Sequence, residues 1–102
     1  MEKKVYKIEE IKSKLYPIFK SYPVYKAILF GSYAKGIATE HSDIDIVIDS
    51  KGELLNIDFY GILEDITILL DKKVDLFEIS ELKRNTEIFT FIKEEGFVLY
   101  EQ

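Results

Sequence analysis

Residues 24–49 read Val-Tyr-Lys-Ala-Ile-Leu-Phe-Gly-Ser-Tyr-Ala-Lys-Gly-Ile-Ala-Thr-Glu-His-Ser-Asp-Ile-Asp-Ile-Val-Ile-Asp. The apolar run at 24–30 predicts a strand, and the alternation of apolar and acidic residues at 43–49 predicts a second one. Between them lies a predicted helical turn that Ser32 opens and Gly36 ends. The stretch therefore predicts two strands joined by a short helix and a loop.

The flanking segments predict further helices and strands. Apolar residues recur every three or four positions at 5–22, as in a helix with one buried face, and Pro17 predicts a kink or a restart inside it. The complete order predicts a single α/β (α+β) domain over residues 1–102, with helices packed on one small mixed sheet. The remaining predicted elements are helices at 57–70 and 81–94 and strands at 73–79 and 97–100.

The composition fits a globular domain and argues against several other classes. Of 102 residues, 47% are hydrophobic, and the net charge is -5. Strong nucleic-acid binding is disfavoured because the chain lacks the basic stripe that phosphate contacts require. The absence of cysteine excludes disulfides and thiolate metal sites. No signal peptide is apparent, and no apolar run approaches the roughly 20 residues that cross a bilayer. We therefore expect a cytoplasmic protein without a membrane partner.

Two aspartates at the start of the second predicted strand are the first candidates for chemistry. Asp43 and Asp45 are two positions apart, so both carboxylates leave the same face of the strand. Carboxylates held this close repel each other unless a positive charge lies between them. Mg²⁺ suits this role because it binds one or two carboxylates together with substrate phosphates. The alternative, a solvated strand end, is the better explanation of an isolated Asp-x-Asp pair.

A candidate phosphate-binding element precedes these aspartates. Gly31 allows the backbone to approach a ligand closely, and the helical turn after it offers free N–H groups to an anion. The hydroxyl of Ser32 adds a donor. An ordinary strand-to-helix junction explains these two residues equally well when they are taken alone. A phosphate-binding turn and an acidic pair on neighbouring strands together favour a site for a metal-bound nucleotide.

A third carboxylate is predicted on the strand at 73–79. Asp75 interrupts this apolar segment, where an unpaired charge is costly unless it binds a partner or a metal. We prefer Asp75 because its strand is predicted to lie beside 43–49. Asp71 and Glu78 are the alternatives, and an exposed strand edge is the explanation without function.

The motif Gly31-Ser32-Tyr33-Ala34-Lys35-Gly36, followed by Ser42-Asp43-Ile44-Asp45-Ile46, resembles the signature of the DNA polymerase β-like nucleotidyltransferase superfamily. Within it, the chain is most similar to the minimal nucleotidyltransferase (MNT) domains. The resemblance covers nearly the whole chain, including the leading helix, the middle helix and the Lys-Val-Asp-Leu segment at 73–76. It implies a polymerase β-like fold.

The resemblance also implies a role for each residue of the candidate site. Asp43 and Asp45 would bind both of two Mg²⁺ ions, for which Mn²⁺ could substitute, and Asp75 would hold the catalytic ion and help to activate the acceptor hydroxyl. Gly31 and Ser32 would hold the triphosphate of an NTP. An acceptor oxygen would then attack the α-phosphate, with pyrophosphate as the leaving group.

Two basic residues near the motif are interpreted differently. Lys35 stands where relatives usually have Arg, which keeps the positive charge for nucleotide binding but loses the bidentate geometry of a guanidinium. His41 precedes the acidic strand and is interpreted as a solvated loop residue rather than a member of the site.

A partner protein is also implied by the resemblance. MNT proteins are commonly antitoxins paired with a HEPN-domain toxin, and the transferred group is typically AMP from ATP, placed on a tyrosine hydroxyl of the toxin. The alternative is a non-catalytic binding module that neutralises a partner by direct contact. Three converging acids favour the enzyme, since contact alone does not require them. Oligomerisation is left open by the sequence.

Overall fold

The computed structural model describes residues 4–54, 56–82 and 86–102, with the backbone alone at 86, 88, 91 and 93. Its elements follow the predicted order. The helices are α1 (Ile8–Ser21), α2 (Gly31–Lys35), α3 (Ile57–Leu70) and α4 (Thr86–Glu95), with a 3-10 helix at Ile79–Leu82. The strands are β1 (Lys26–Phe30), β2 (Ile44–Asp49), β3 (Val74–Glu78) and β4 (Phe97–Glu101).

The described strands form one mixed sheet in the order β3-β2-β1-β4. Strand β1 is antiparallel to both β2 and β4, whereas β2 and β3 are parallel. Parallel neighbours need a crossover connection, and α3 supplies it. The predicted small mixed sheet of an α+β fold is therefore confirmed, as is the prediction that the strand carrying Asp75 lies beside the strand carrying Asp45.

The hydrophobic core lies between one face of this sheet and the helices α1 and α3. Alternation along β2 turns its isoleucines towards these helices, where they are fully buried. The buried core side chains of the two helices are Ile11, Leu15, Phe19, Ile62, Ile66 and Leu70. Asp45 of β2 and Asp75 of β3 therefore face the opposite side, which we call the outer face of the sheet. Glu78 of β3 is instead buried on the core side, where it accepts a hydrogen bond from the Ser50 hydroxyl at 2.7 Å. None of the helices in the described ranges is long and apolar enough to span a membrane.

Helix α4 packs on the outer face of the sheet, beside β1 and β4. Ile92 is buried there, and Val47 of β2 is buried as well although it alternates with the core isoleucines. The end of the outer face that carries Asp45 and Asp75 keeps both residues partly accessible. The fold thus covers one end of the outer face and leaves the acidic end accessible.

Two local predictions are wrong in detail. Helix α2 begins at Gly31, and no side chain caps it, so Ser32 does not open the helix. Gly31 has a φ of 75°, which glycine adopts more easily than serine, and Gly36 ends the helix as predicted. Helix α1 continues through Pro17 without a restart, so the kink is the form of that prediction that stands. The predicted helix at 81–94 is replaced at its start by the 3-10 helix, while residues 83–85 lie outside the described residues.

Replacing Gly96 with Ala is expected to destabilise the fold. A β-carbon at this position would lie 2.6 Å from Ile28 Cγ2 and would also overlap the carbonyl oxygen of Ile92. Overpacking of this kind typically costs about 1–3 kcal/mol. Urea unfolding measures the loss, and Gly61→Ala is the control because its new β-carbon would lie 3.3 Å from the Tyr22 hydroxyl oxygen. Equal stability of the two variants would contradict this account of the packing.

Candidate active site

The three predicted acidic residues lie at the same end of the sheet. Asp45 on β2 is the register partner of Asp75 on β3, so their side chains are neighbours on the outer face. The two carboxyl groups are close enough to share a hydrogen bond. Asp43 immediately precedes β2, and its Oδ2 lies 3.5 Å from the Nζ of Lys73. The structure thus brings Asp45 and Asp75 directly together, with Asp43 beside them in an ion pair.

The carboxyl group of Asp45 has an unusual environment. Burial and then the negative charges of Asp75 and Asp43 raise the pKa of Asp45 from 3.8 to about 6, and the nearby ammonium of Lys73 offsets only part of this. Phe30 is the register partner of Asp45 on β1, and its ring is 5.9 Å from that of Phe77. These rings give the acidic pair an apolar surrounding. The cluster therefore carries negative charge that a bound cation would stabilise.

The donor set fits a hard divalent cation, although the carboxylates are not yet arranged around one point. Within residues 4–54, 56–82 and 86–102, no group of three His, Cys, Asp or Glu side chains stands ready to hold a metal ion. Asp43 is instead engaged by Lys73, whose side chain is 72% exposed. Exposed ion pairs contribute little to stability, so Asp43 can turn towards Asp45 and Asp75 at low cost. Oxygen donors of this kind suit Mg²⁺ or Mn²⁺.

Gly31 lies directly against the acidic cluster. Its φ of 75° belongs to the left-handed region, and a β-carbon at this position would overlap Oδ2 of Asp45. The backbone of the first turn of α2 therefore approaches the carboxylate more closely than any residue with a side chain would allow. This places the predicted phosphate-binding turn and the predicted metal ligands next to each other.

The other two predicted nucleotide-binding residues lie on the same short helix. Ser32 follows Gly31, is partly buried, and its carbonyl accepts a hydrogen bond from the N–H of Ile37 at 3.1 Å. Lys35 is exposed at the last position of α2. It comes four residues after Gly31 and therefore lies on the same side of the helix.

Sequence reasoning did not identify Lys73 as a neighbour of the acidic residues. The residue precedes β3 and lies two positions before Asp75, so the period of a strand places both side chains on one face. That spacing would have identified it. A cavity of about 390 Å³ adjoins this ion pair, and its wall includes Asp43, Lys73, Tyr6 and His41. His41 is exposed, as predicted, with its Nε2 3.3 Å from a carboxylate oxygen of Glu40.

Replacing Asp45 with Asn is expected to stabilise the metal-free protein at neutral pH but not at acid pH. Because the folded-state pKa is raised, the favourable contribution of the neutral acid is present below the ordinary pKa near 3.8 and is lost as the pH rises through about 6. After allowance for solvent screening, the gain at pH 7 is about 1–2 kcal/mol. Urea unfolding in EDTA at pH 4 and pH 7 measures it.

The control for this prediction is Asp49→Asn, which removes a carboxylate four residues further along β2. The side chain of Asp49 accepts a hydrogen bond from the N–H of Lys51 at 3.0 Å, and an asparagine oxygen can accept it as well. If Asp45→Asn gained no more stability between pH 4 and pH 7 than this control, the crowding of the acidic cluster would be contradicted.

The chain matches the family model described as polymerase beta nucleotidyltransferase over residues 13–102. This match covers β1, α2, β2, α3 and β3, and hence all six predicted site residues. It agrees with the motif resemblance seen in the sequence.

Related sequences point to the same family. The chain is 36% identical over 76 residues to "Putative protein adenylyltransferase MJ0435" of Methanocaldococcus jannaschii. The aligned segment covers 74% of this chain and 81% of the relative. It is 40% identical over 82 residues to MJ0604, a protein of the same description and organism, with 74% of this chain and 77% of that relative covered.

Solved structures share the fold. A crystal structure of a toxin-antitoxin with AMP-PNP matches with a TM-score of 0.75 and 25% identity, covering 89% of this chain and 73% of that one. A chain from the structure of a tri-AMPylated Shewanella oneidensis HEPN toxin in complex with MNT antitoxin matches with a TM-score of 0.69 and 22% identity. This match covers 93% of this chain and 73% of that one. With the family model matched over most of its length, the chain belongs to the polymerase β nucleotidyltransferase family and is an enzyme of this class.

Proposed function

We propose that this chain is a metal-dependent protein adenylyltransferase of the MNT type, which transfers AMP from ATP to a hydroxyl of a HEPN-domain partner. The observation that carries the proposal is the juxtaposition of Asp45 and Asp75 against the side-chain-free backbone of Gly31. Nucleotidyl transfer requires carboxylates that bind divalent cations and a backbone turn that binds phosphates.

Similarity to known proteins supports the choice of nucleotide and of partner. The relatives from Methanocaldococcus jannaschii are described as protein adenylyltransferases, and the structural neighbours include a complex with AMP-PNP and an MNT antitoxin with an AMPylated HEPN toxin. The partly accessible acidic end of the outer face agrees with a bulky acceptor, because a protein can approach Asp45 and Asp75 there.

The reaction needs few groups from the protein. The acceptor oxygen forms a bond to the α-phosphorus of ATP, the bond from that phosphorus to the bridging oxygen breaks, and pyrophosphate leaves with its electron pair. Bound Mg²⁺ would neutralise the phosphate oxygens and lower the pKa of the acceptor hydroxyl. In this scheme the protein mainly positions the reacting groups and stabilises charge.

Each site residue then has a defined task. Asp45 and Asp75 would hold the cations, and Asp43 would join them after leaving Lys73. Asp75 orients the acceptor hydroxyl and accepts its proton directly or through water. Backbone N–H groups after Gly31, together with the hydroxyl of Ser32, bind the triphosphate. Lys35 adds a positive charge on the same side of α2.

A labelling experiment tests this proposal. The purified chain is incubated with Mg²⁺, ATP labelled at the α-phosphate, and a HEPN-domain protein from the same genome. We expect label on a tyrosine of the partner, no label when ATP carries the isotope at the γ-phosphate, and no transfer in EDTA. An unlabelled partner with intact, folded proteins would refute the proposal, and label from the γ-phosphate would indicate a kinase reaction instead.

A further inference from the structure

Helix α3 is apolar on two opposite sides. One side faces the core through Ile62 and Ile66, which are fully buried. At about 100° per residue, the opposite side presents another set of side chains. We call this set the outer α3 face; it consists of Ile57, Tyr60, Glu64 and Ile68.

The exposure of this face is unusual for such residues. Ile57 is 85% exposed and Tyr60 and Ile68 are each 69% exposed, which makes them the three most exposed large hydrophobic side chains in the described part of the chain. They span residues 57–68, which is roughly 16 Å of helix. Large exposed apolar side chains grouped on one helix face are a common feature of interaction sites. The outer α3 face is therefore a candidate docking surface.

The charges around this face indicate what covers it. Helix α3 contains Asp58, Glu64 and Asp65 but no lysine or arginine. Glu64 lies near the middle of the outer α3 face, so a second copy docked there through twofold symmetry would bring two glutamates together. The net charge of -5 adds to this repulsion. A partner with lysine or arginine around apolar side chains is complementary in both respects.

The C-terminal end of α3 lies near one member of the acidic cluster. Leu70 and Asp71, which follow Ile68 by two and three residues, line the 390 Å³ cavity that also touches Asp43. The outer α3 face itself points away from the sheet, so a protein docked there reaches this cavity only past the end of the helix. We propose that the outer α3 face is the docking surface for the acceptor protein, which binds it through a basic, amphipathic helix or strand. This inference rests on the proposed function for the identity of the partner.

Binding measurements on single variants test the inference. Isothermal titration with the same HEPN-domain protein compares the unchanged chain with Ile57→Glu, Ile68→Glu and Tyr60→Ala. Each variant is expected to raise Kd about 30-fold or more, as loss of an interface anchor does. The matched control for the tyrosine is Tyr16→Ala, on the exposed side of α1, which is expected to leave Kd within about threefold.

The electrostatic part of the inference has a separate test. Glu64→Lys is expected to weaken binding about tenfold at low salt and less at high salt, whereas Glu9→Lys, an exposed acid on α1, is expected to change it little. Circular dichroism confirms that each variant is folded, which the exposure of these side chains favours.

The outcomes separate this inference from the proposed function. Wild-type affinity in all three variants of the outer α3 face would overturn the inference even if AMP transfer occurs. Loss of partner binding in these variants without AMP transfer by the unchanged protein would support the docking surface and refute the proposed activity. A homodimer that Ile57→Glu and Ile68→Glu dissociate would overturn the inference in favour of a second copy, and no binding by the unchanged protein would overturn both.

Discussion

Asp45→Asn and Asp75→Asn are each expected to reduce AMP transfer by about 10³-fold or more. The two carboxylates are register partners on β2 and β3, and each supplies negative charge at the point where cations and phosphates must meet. Asparagine keeps the size and a single oxygen donor but removes this charge. Initial rates with ATP labelled at the α-phosphate, at saturating partner, measure the effect.

Folding and catalysis are expected to respond to Asp45→Asn in opposite directions. The substitution removes a carboxyl group whose pKa is raised to about 6 by burial and by its acidic neighbours, so the variant is expected to be more stable at neutral pH. Its transfer rate is expected to fall because the charge that binds the cations is lost. Asp49→Asn, further along the same strand, is expected to keep the wild-type rate. Metal-dependent transfer at the wild-type rate in either Asp45→Asn or Asp75→Asn would contradict the assignment of the site.

Gly31→Ala is expected to reduce nucleotide affinity and transfer by about 100-fold and to cost roughly 1–3 kcal/mol of stability. Two causes act together, since the residue has a φ of 75° and its new β-carbon would overlap Oδ2 of Asp45. The methyl group would push the carboxylate aside and would occupy the space where the backbone meets the phosphates. Binding of an ATP analogue and urea unfolding measure the two effects.

Gly36→Ala separates these causes. Gly36 also has a φ of 75°, but nothing lies within 4 Å of the β-carbon that alanine would add. Gly36→Ala therefore introduces the backbone strain without an overlap like that between the new β-carbon of Gly31→Ala and Oδ2 of Asp45. It is expected to lose stability while keeping most of the transfer activity. If the two variants lost activity equally, the close approach of Gly31 to Asp45 would not matter for nucleotide binding.

The sheet was predictable because its strands have simple patterns. Alternation places Asp43, Asp45 and Asp75 opposite the buried isoleucines, and the parallel crossover through α3 brings β3 beside β2. The same period would have revealed Lys73. The acidic pair could therefore be inferred from spacing, although its register could not, since pairing depends on the three-dimensional path of the connecting helix.

Other features depend on geometry that a sequence pattern does not contain. The first residue of α2 is decided by the left-handed backbone of Gly31 rather than by the capping preference of Ser32. The exposure of Ile57 and Ile68 was also hidden, because apolar spacing identifies a helix but does not say which of its sides the rest of the chain covers. Similarly, only the coordinates show that Asp43 is held by Lys73.

Binding of Mn²⁺ with a non-hydrolysable ATP analogue tests the central claim most directly, because it reports on the acidic cluster without requiring an acceptor. Electron paramagnetic resonance counts the free and bound ions in the unchanged protein and in Asp45→Asn. We predict that the analogue promotes binding of about two ions per chain and that this binding is lost in the variant. Equal Mn²⁺ binding by both proteins, or none by the unchanged protein at millimolar Mn²⁺, would contradict the account.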